Sequence, residues 1–117
     1  MTTHHTPCIA ISIGDFNGIG PEIVLKALYE TDLRKSTPVI LSPFGIIEQA
    51  QAYLPSGQEL NFVHDFSGVQ AGVINIVSLP ADALNITPGV QTAEGGKIAM
   101  QSIEECIALC MTHQTAA

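Results

Sequence analysis

Residues 8–30 read CIAISIGDFNGIGPEIVLKALYE, and this stretch decides the fold. Its first part is short, apolar and β-branched, which predicts a buried strand over residues 8–13. A glycine-containing segment follows. Pro21 then suits the first position of a helix, and Glu22 suits its first turn. Apolar residues recur at helical spacing from there, so we predict a helix at about 21–30.

The rest of the chain repeats this alternation. The patterns predict strands over 38–42, 60–64 and 74–79 and helices over about 43–54 and 93–112. Ser42 and Thr92 are predicted to cap the two later helices. The order of strand, helix, strand, helix, strand, strand, helix predicts an α/β fold with at least part of the sheet parallel. We expect one incomplete α/β segment over 1–117, with residues 1–7 as a disordered tail.

One side of the last predicted helix is apolar, which is typical of a helix packed on a core. This side consists of Ile98, Met100, Ile103, Cys106, Ile107, Cys110 and Met111. Its two cysteines could supply half of a metal site, but the absence of a second pair favours buried packing. Another strand is expected after such a helix. Without that strand we expect an unpaired sheet edge, an exposed apolar face and association of the chain.

Composition and charge exclude several classes of function. The chain has 117 residues, of which 46% are hydrophobic and 13% charged, too apolar for a disordered protein. Its net charge is −7 with 4 basic residues, which excludes a nucleic-acid footprint and disfavours anionic membranes. No signal peptide and no apolar run long enough for a membrane span is predicted. Three cysteines make no disulfide framework, so we expect a reducing, cytoplasmic location.

The glycine loop, residues 14–20, follows a predicted strand at the position where α/β proteins bind ligands. It lacks the Gly-Lys-Ser/Thr of a P-loop, and Ile23 stands where G-x-G-x-x-G requires its third glycine. The carboxylates of Asp15 and Glu22 would repel a phosphate, so close backbone packing against a ligand is favoured. The candidate cofactor-binding residues are Gly14, Asp15, Asn17, Gly18 and Gly20. The alternative, that these glycines only form the turn, stays open.

The four histidines are predicted to be structural. His4 and His5 lie in the polar tail, His64 ends a predicted strand, and His113 follows the last helix. A positive charge on the last of these would suit the helix C-terminus. No two histidines have the spacing of metal ligands, so we expect no metal site in these residues.

Two segments resemble a known enzyme family. Residues 9–28 are similar to the N-terminus of 4-hydroxythreonine-4-phosphate dehydrogenase, where a strand leads into Gly-Asp-Pro-x-Gly-Ile-Gly-Pro-Glu and a helix. Residues 88–97, PGVQTAEGGK, resemble the family's Pro-Gly-x-x-x-Ala-Glu-x-Gly stretch before a long helix. The sequence departs from the pattern at Phe16, where proline is usual. Isopropylmalate and isocitrate dehydrogenases share a similar loop more distantly.

The resemblance implies the N-terminal part of a two-domain α/β fold of the isocitrate/isopropylmalate dehydrogenase type, usually a homodimer. It implies oxidation of 4-phosphooxy-L-threonine by NAD or NADP, followed by decarboxylation to 3-amino-2-oxopropyl phosphate in vitamin B6 biosynthesis. It also implies a divalent metal (zinc, magnesium or cobalt) held by three histidines. The family's substrate and metal residues have no counterpart here, so we expect no catalytic residue and no turnover from these residues alone. The alternative is a catalytically inactive α/β module that acts in binding or oligomerisation.

Overall fold

The computed structural model of the chain describes residues 6–52, 54, 59–79 and 89–117. The predicted tail at His4 and His5 lies outside these residues, as does Pro88, the first residue of the second family segment. Thr6, which the tail was expected to include, is described, and its Oγ1 lies 2.6 Å from Oγ1 of Thr37.

Strands and helices alternate as predicted. The described elements are β1 (Cys8–Ser12), α1 (Gly20–Tyr29), β2 (Thr37–Ser42), α2 (Phe44–Gln51), β3 (Leu60–Val63), β4 (Ile74–Ser78) and α3 (Ala93–Met111). A short 3-10 helix, Phe66–Gly68, lies between β3 and β4. This order confirms the predicted α/β class. Among the described helices, none is both long and apolar enough to cross a membrane.

The sheet has the order β1-β2-β4-β3, and all three strand pairs are parallel. The central strand β2 is buried along its whole length. Its side chains alternate between two apolar clusters, with Ile40 in one and Val39 and Leu41 in the other. A strand buried on both faces explains why this segment reads as a continuous apolar run.

The two clusters define the layers of the fold. The first contains buried side chains of α1 and α2, such as Leu25 and Ile47, together with Phe16 from the glycine loop. The second lies under α3 and includes Leu109. Ser102 Oγ of α3 also donates a hydrogen bond to the Leu41 carbonyl at 2.7 Å, which fastens the helix to the sheet.

Asn75 is the main buried polar residue of the sheet, and sequence analysis did not single it out. Its side chain is 0% exposed. The Oδ1 atom accepts hydrogen bonds from Gln70 N and Asn61 Nδ2, both at 2.9 Å. The Nδ2 group donates to the carbonyls of Gln70 and Pro38 at 2.9 and 3.2 Å. The full set of partners makes an otherwise costly buried amide stable in β4.

The predicted cap at Ser42 is wrong. The residue before α2 is Pro43, which forms no side-chain cap, and α2 begins at Phe44 and ends at Gln51. Ser42 Oγ instead donates to the Pro43 carbonyl at 2.9 Å. Because β2 extends through Ser42, this residue is part of the buried ladder and not the start of a helix.

The predicted packing of the apolar side of α3 is only partly correct. Ile98 is buried, and Cys106 and Cys110 are half-buried. The other four residues are exposed large hydrophobics: Met100, Ile103, Ile107 and Met111. An exposed apolar face therefore lies on the outward side of α3.

The edge of the sheet at β1 is partly paired in the described structure. Ala116 N donates to the Cys8 carbonyl at 2.8 Å, and Ala10 N donates to an oxygen of Ala117 at 2.7 Å. Residues after α3 therefore already lie along the outer edge of β1 and satisfy two of its backbone groups.

Candidate functional site at the glycine loop

The glycine loop turns sharply at the carboxyl end of β1. Gly14 has a φ of +69°, a left-handed conformation that favours glycine. Asp15 Oδ1 accepts a hydrogen bond from Asn17 N at 2.9 Å, and its carbonyl accepts one from Gly18 N at 3.0 Å. Phe16 is 3% exposed and packs in the first apolar cluster. Phe16, which stands where the family pattern has proline, therefore has a structural role in the core.

The last glycine of the loop brings the chain back onto the strand. A Cβ at Gly20 would collide with the backbone carbonyl of Ile13, so only glycine fits there without backbone movement. Pro21 then occupies the first turn of α1, with Glu22 beside it as predicted. The strand-to-helix turn therefore favours glycine at position 14 and requires it at position 20.

The loop is also bound to the segment that opens α3. Asn17 Nδ2 donates to Thr92 Oγ1 at 3.2 Å, and the Asn17 carbonyl accepts from Gly89 N at 2.7 Å. Thr92 Oγ1 also accepts from Gly95 N at 3.0 Å, which confirms the predicted cap of α3. The two segments that carry the family resemblance are thus in direct contact.

A further contact between the two segments joins Asp15 and Gly95. A Cβ added at Gly95 would lie 2.5 Å from Oδ1 of Asp15, so the carboxylate occupies the space where any other residue has a side chain. The N-terminus of a helix carries partial positive charge, which stabilises a neighbouring carboxylate. We call this contact, with the bonds of Asn17 to Thr92 and Gly89, the loop–helix junction.

The five candidate cofactor-binding residues differ in their accessibility. Gly14 and Gly18 are exposed, whereas Asp15 and Gly20 are half-buried. Asn17 is 3% exposed, and its amide and carbonyl groups both bind the start of α3. Cofactor binding by these residues stays a prediction. The structure brings all five together at one edge of the sheet.

The charges at the loop do not fit a pyrophosphate. Asp15 and Glu22 place two carboxylates there, and Pro21 removes one of the N–H groups that a helix N-terminus offers to an anion. The Asp15 carboxylate also lies beside Gly95 in the first turn of α3. The open space beside Gly14, where nothing lies within 4 Å of an added Cβ, fits an uncharged part of a ligand better.

The described residues do not fit a metal ion either. No group of three or more His, Cys, Asp or Glu side chains in the described ranges could hold one. Burial, followed by the influence of Cys110 and Glu105, raises the pKa of the Cys106 thiol from 9.0 to about 11. Burial also raises the pKa of Cys8. High thiol pKa values disfavour the thiolate that a metal requires.

The two described candidate histidines take structural positions. The exposed His64 packs its ring against Phe44, with centroids 5.5 Å apart. His113 has a φ of +61° and forms the left-handed residue after the α3 C-terminus. Each lines a cavity, of about 340 Å³ for the first and about 560 Å³ for the second, and neither cavity includes a loop residue.

Sequence analysis missed Gly89 and Gly95 as partners of the loop. Both lie in the second family segment, but a pattern cannot show which atoms they contact. The available signal was the Gly-Gly pair at 95–96 inside a helix, since glycine is unfavourable there unless close packing requires it.

This fold and junction define the class: a parallel α/β protein with a glycine loop at the carboxyl edge of its sheet. The chain matches no protein-family profile. A 4-hydroxythreonine-4-phosphate dehydrogenase from Prosthecochloris aestuarii is 32% identical over 117 residues, which covers 92% of this chain and 34% of the relative. A D-threonate 4-phosphate dehydrogenase from Pectobacterium atrosepticum is 32% identical over 110 residues, with coverages of 91% and 34%.

Solved structures agree with this similarity. The 4-hydroxythreonine-4-phosphate dehydrogenase from Klebsiella pneumoniae matches with a TM-score of 0.79 and 26% identity, over 93% of this chain and 35% of that one. A structure of that name from Burkholderia phymatum has the same fold, with a TM-score of 0.83, 23% identity and coverages of 96% and 35%. The resemblance to 4-hydroxythreonine-4-phosphate dehydrogenase is therefore confirmed. The chain spans about a third of the length of the curated relatives that it matches.

Proposed function

We propose that this chain is the N-terminal portion of an NAD(P)-dependent dehydrogenase that oxidises 4-phosphooxy-L-threonine in vitamin B6 biosynthesis. In this reaction the alcohol becomes a ketone as a hydride passes to NAD(P)⁺ and a proton is released. Loss of CO₂ then gives 3-amino-2-oxopropyl phosphate. We place this enzyme in the cytoplasm and, as the resemblance implies, in a homodimer. The three cysteines are unpaired, as a reducing location favours.

The observation that supports this proposal is the loop–helix junction. Relatives named as dehydrogenases of 4-phosphorylated four-carbon acids match almost the whole chain. The two segments that resemble the family, residues 9–28 and 88–97, touch through Asn17, Thr92 and Gly89, and Asn17 and Thr92 are 75 positions apart in the sequence. Contact between such distant motif segments favours a common role over two separate turns.

The relatives suggest two candidate substrates. One name specifies 4-hydroxythreonine 4-phosphate and the other D-threonate 4-phosphate. The two molecules share a terminal phosphate and a carboxylate, and the threonate carries a hydroxyl in place of the amino group. An enzyme that distinguishes the two substrates needs a hydrogen-bonding partner for the amino or the hydroxyl group, because an unmatched polar group in a site is costly.

The chemistry of the loop indicates which part of the cofactor this chain would contact. The backbone at Gly14 and Gly18 is exposed, and the space beside Gly14 is open, which suits an uncharged part of the cofactor. Because the carboxylates of Asp15 and Glu22 repel phosphate groups, the phosphates would be bound by residues outside this chain. The divalent metal would also be held by residues outside this chain, and it would polarise the reacting oxygen.

A chimera provides the test of this function. The matching third of the Prosthecochloris aestuarii enzyme is replaced by residues 1–117, and reduction of NAD and NADP is measured with each candidate substrate and a divalent metal. We expect reduction with 4-phosphooxy-L-threonine. The ratio of kcat/KM for the two substrates then decides between them.

The purified 117-residue chain, assayed alone, is the control and is expected to reduce neither cofactor. A chimera that unfolds cooperatively but turns over neither substrate would reject the proposed activity. That result would favour the second candidate, an inactive α/β module that acts in binding. The exposed apolar face of α3 is the observation that supports this second candidate.

A further inference from the structure

The glycine loop contains a dipeptide that favours spontaneous loss of a side-chain amide. Of the asparagines in the sequence, Asn17 is the one that a glycine, Gly18, follows. Because glycine has no side chain, its backbone nitrogen can approach the side-chain carbonyl carbon of the preceding asparagine with little steric hindrance. The pair Asn17–Gly18 therefore places a reactive amide next to an unhindered nucleophile.

The reaction of such a pair is deamidation. The Gly18 nitrogen loses its proton and attacks Cγ of Asn17, the Cγ–Nδ2 bond breaks, and ammonia leaves as a succinimide ring forms. Water then opens the ring. Cleavage at Cγ gives aspartate, whereas cleavage at the main-chain carbonyl gives isoaspartate, whose backbone runs through Cγ. Water is the co-reactant, and no atom is oxidised or reduced.

Both reacting groups are hydrogen-bonded in the folded chain. The attacking nitrogen, Gly18 N, donates to the Asp15 carbonyl at 3.0 Å. The leaving group, Asn17 Nδ2, donates to Thr92 Oγ1 at 3.2 Å, and Asn17 is 3% exposed. Attack needs a free Gly18 nitrogen and rotation of the Asn17 side chain toward it. These hydrogen bonds must therefore break before the reaction can start.

We propose that Asn17 is a deamidation site and that the loop–helix junction suppresses its reaction in the folded chain. Segments joined by a few hydrogen bonds open locally far more often than a whole domain unfolds. Each opening of the junction exposes Asn17 and Gly18 to water, and the conversion is irreversible because ammonia is lost. The proposal rests on this local chemistry and is independent of the enzymatic function proposed above.

The product of deamidation acts on the junction itself. Asn17 N donates to Oδ1 of Asp15 at 2.9 Å, so residue 17 lies directly beside a carboxylate. A second negative charge at position 17 repels that carboxylate. The reaction also removes the N–H group that binds Thr92 Oγ1. Deamidation therefore weakens the attachment of the loop to α3 and favours further opening.

Peptide mass spectrometry of chains incubated at mildly alkaline pH tests the proposal, because it distinguishes asparagine, aspartate and isoaspartate at position 17. We expect the modification of Asn17 to be at least about tenfold slower in the folded chain than in guanidinium chloride, since it waits for the junction to open. Equal rates in the folded and the unfolded chain would overturn the proposal.

The chemistry is checked in the unfolded chain, where packing has no influence. In guanidinium chloride, Gly18→Ala should slow the modification of Asn17 severalfold, because a side chain hinders the attack. Asn61 and Asn75 are references in the same digest and should react more slowly than Asn17, since larger residues follow them. Equal rates at the three asparagines would contradict the assignment of Asn17 as the site.

Two variants separate opening of the junction from unfolding of the whole chain. Thr92→Val removes the oxygen that binds Asn17 Nδ2 and should speed deamidation severalfold in the folded chain, with no change in guanidinium chloride. Ser102→Ala is the matched control, because it removes a hydroxyl that donates to the Leu41 carbonyl away from the loop, and it should leave the rate unchanged. Equal acceleration by both variants, in chains that circular dichroism shows to be folded, would overturn protection by the junction.

Asn17→Asp tests the effect of the product. This variant should have a lower melting temperature than the unmodified chain. Asp15→Asn in the same chain should recover part of that loss, because it removes the repelling charge. An unchanged melting temperature of the Asn17→Asp chain would contradict the weakening of the junction by deamidation.

Discussion

Gly95 and Gly96 are neighbours at the start of α3, but their surroundings differ. A Cβ at Gly95 would lie 2.5 Å from Asp15 Oδ1, whereas one at Gly96 would meet nothing within 4 Å. The same substitution therefore has opposite consequences at the two positions. At one it displaces the carboxylate of the loop, and at the other it only removes the entropic disadvantage of glycine in a helix.

Gly95→Ala is expected to lower the free energy of unfolding by about 1–3 kcal/mol, the usual cost of overpacking. Gly96→Ala should raise it by up to about 1 kcal/mol, as alanine favours the helix. Urea denaturation measures both. Adding Asp15→Ala should recover part of the loss at Gly95, since the clash involves that side chain. Purely additive effects of Asp15→Ala and Gly95→Ala would contradict the close contact.

His113 adopts the left-handed conformation in a C-terminal capping motif of α3. Its φ is +61°, and the following Gln114 N donates to the Leu109 carbonyl at 2.9 Å. Glycine is the residue that adopts this conformation most readily at a helix end.

His113→Gly should therefore raise the free energy of unfolding by up to about 1 kcal/mol, because relief of the left-handed strain exceeds the added freedom of the unfolded chain. Thr112→Gly is the control, since Thr112 has a φ of −92° and gains nothing from glycine. A higher melting temperature for the first variant and a lower one for the second are expected. Two lower melting temperatures would show that His113 is not strained.

At the scale of elements, α3 has an inward and an outward side with different chemistry. The inward thiol of Cys106 is half-buried, and the loss of hydration raises its pKa to about 11. Ile103, on the outward side, is 42% exposed. Thiol reactivity along one helix therefore reports how the helix lies on the sheet.

Alkylation of Cys106 by iodoacetamide at pH 8 should be about 100-fold slower in the native than in the unfolded chain, because the thiolate is the reactive form and the pKa rises by about two units. A cysteine introduced by Ile103→Cys should react at nearly the same rate in both states. Mass spectrometry of the peptides gives the two rates separately. Fast native alkylation of Cys106 would mean that α3 does not pack in this orientation.

The elements themselves could be predicted because each depends on local signals. Apolar periodicity located the strands and helices, and Thr92 marked the start of α3 by its capping chemistry. Ser42 failed as a cap because strand burial outweighed its local preference. The partners of Asn75 and the contact of Asp15 with Gly95 could not be predicted, since they depend on which distant segments meet in the fold.

At the scale of the whole molecule, helices cover both faces of the sheet, but apolar residues stay exposed on the outward side of α3. One face of the sheet is covered by α1 and α2, and the other by α3. The excess of hydrophobic residues, 46% of the chain, is partly explained by the exposed apolar residues of α3. The chain corresponds to about a third of its relatives, and the proposed activity belongs to the longer enzyme.

The most direct test of the account is the activity of the chimera with and without an intact loop–helix junction. We predict that Gly95→Ala in the chimera lowers kcat by about 10²-fold, because it displaces the loop from the position that we propose for it beside the cofactor. Gly96→Ala, one residue away, should leave kcat unchanged. Equal kcat values of the two variants, measured at a temperature at which circular dichroism shows both chimeras to be folded, would contradict the claim that the junction positions a functional site.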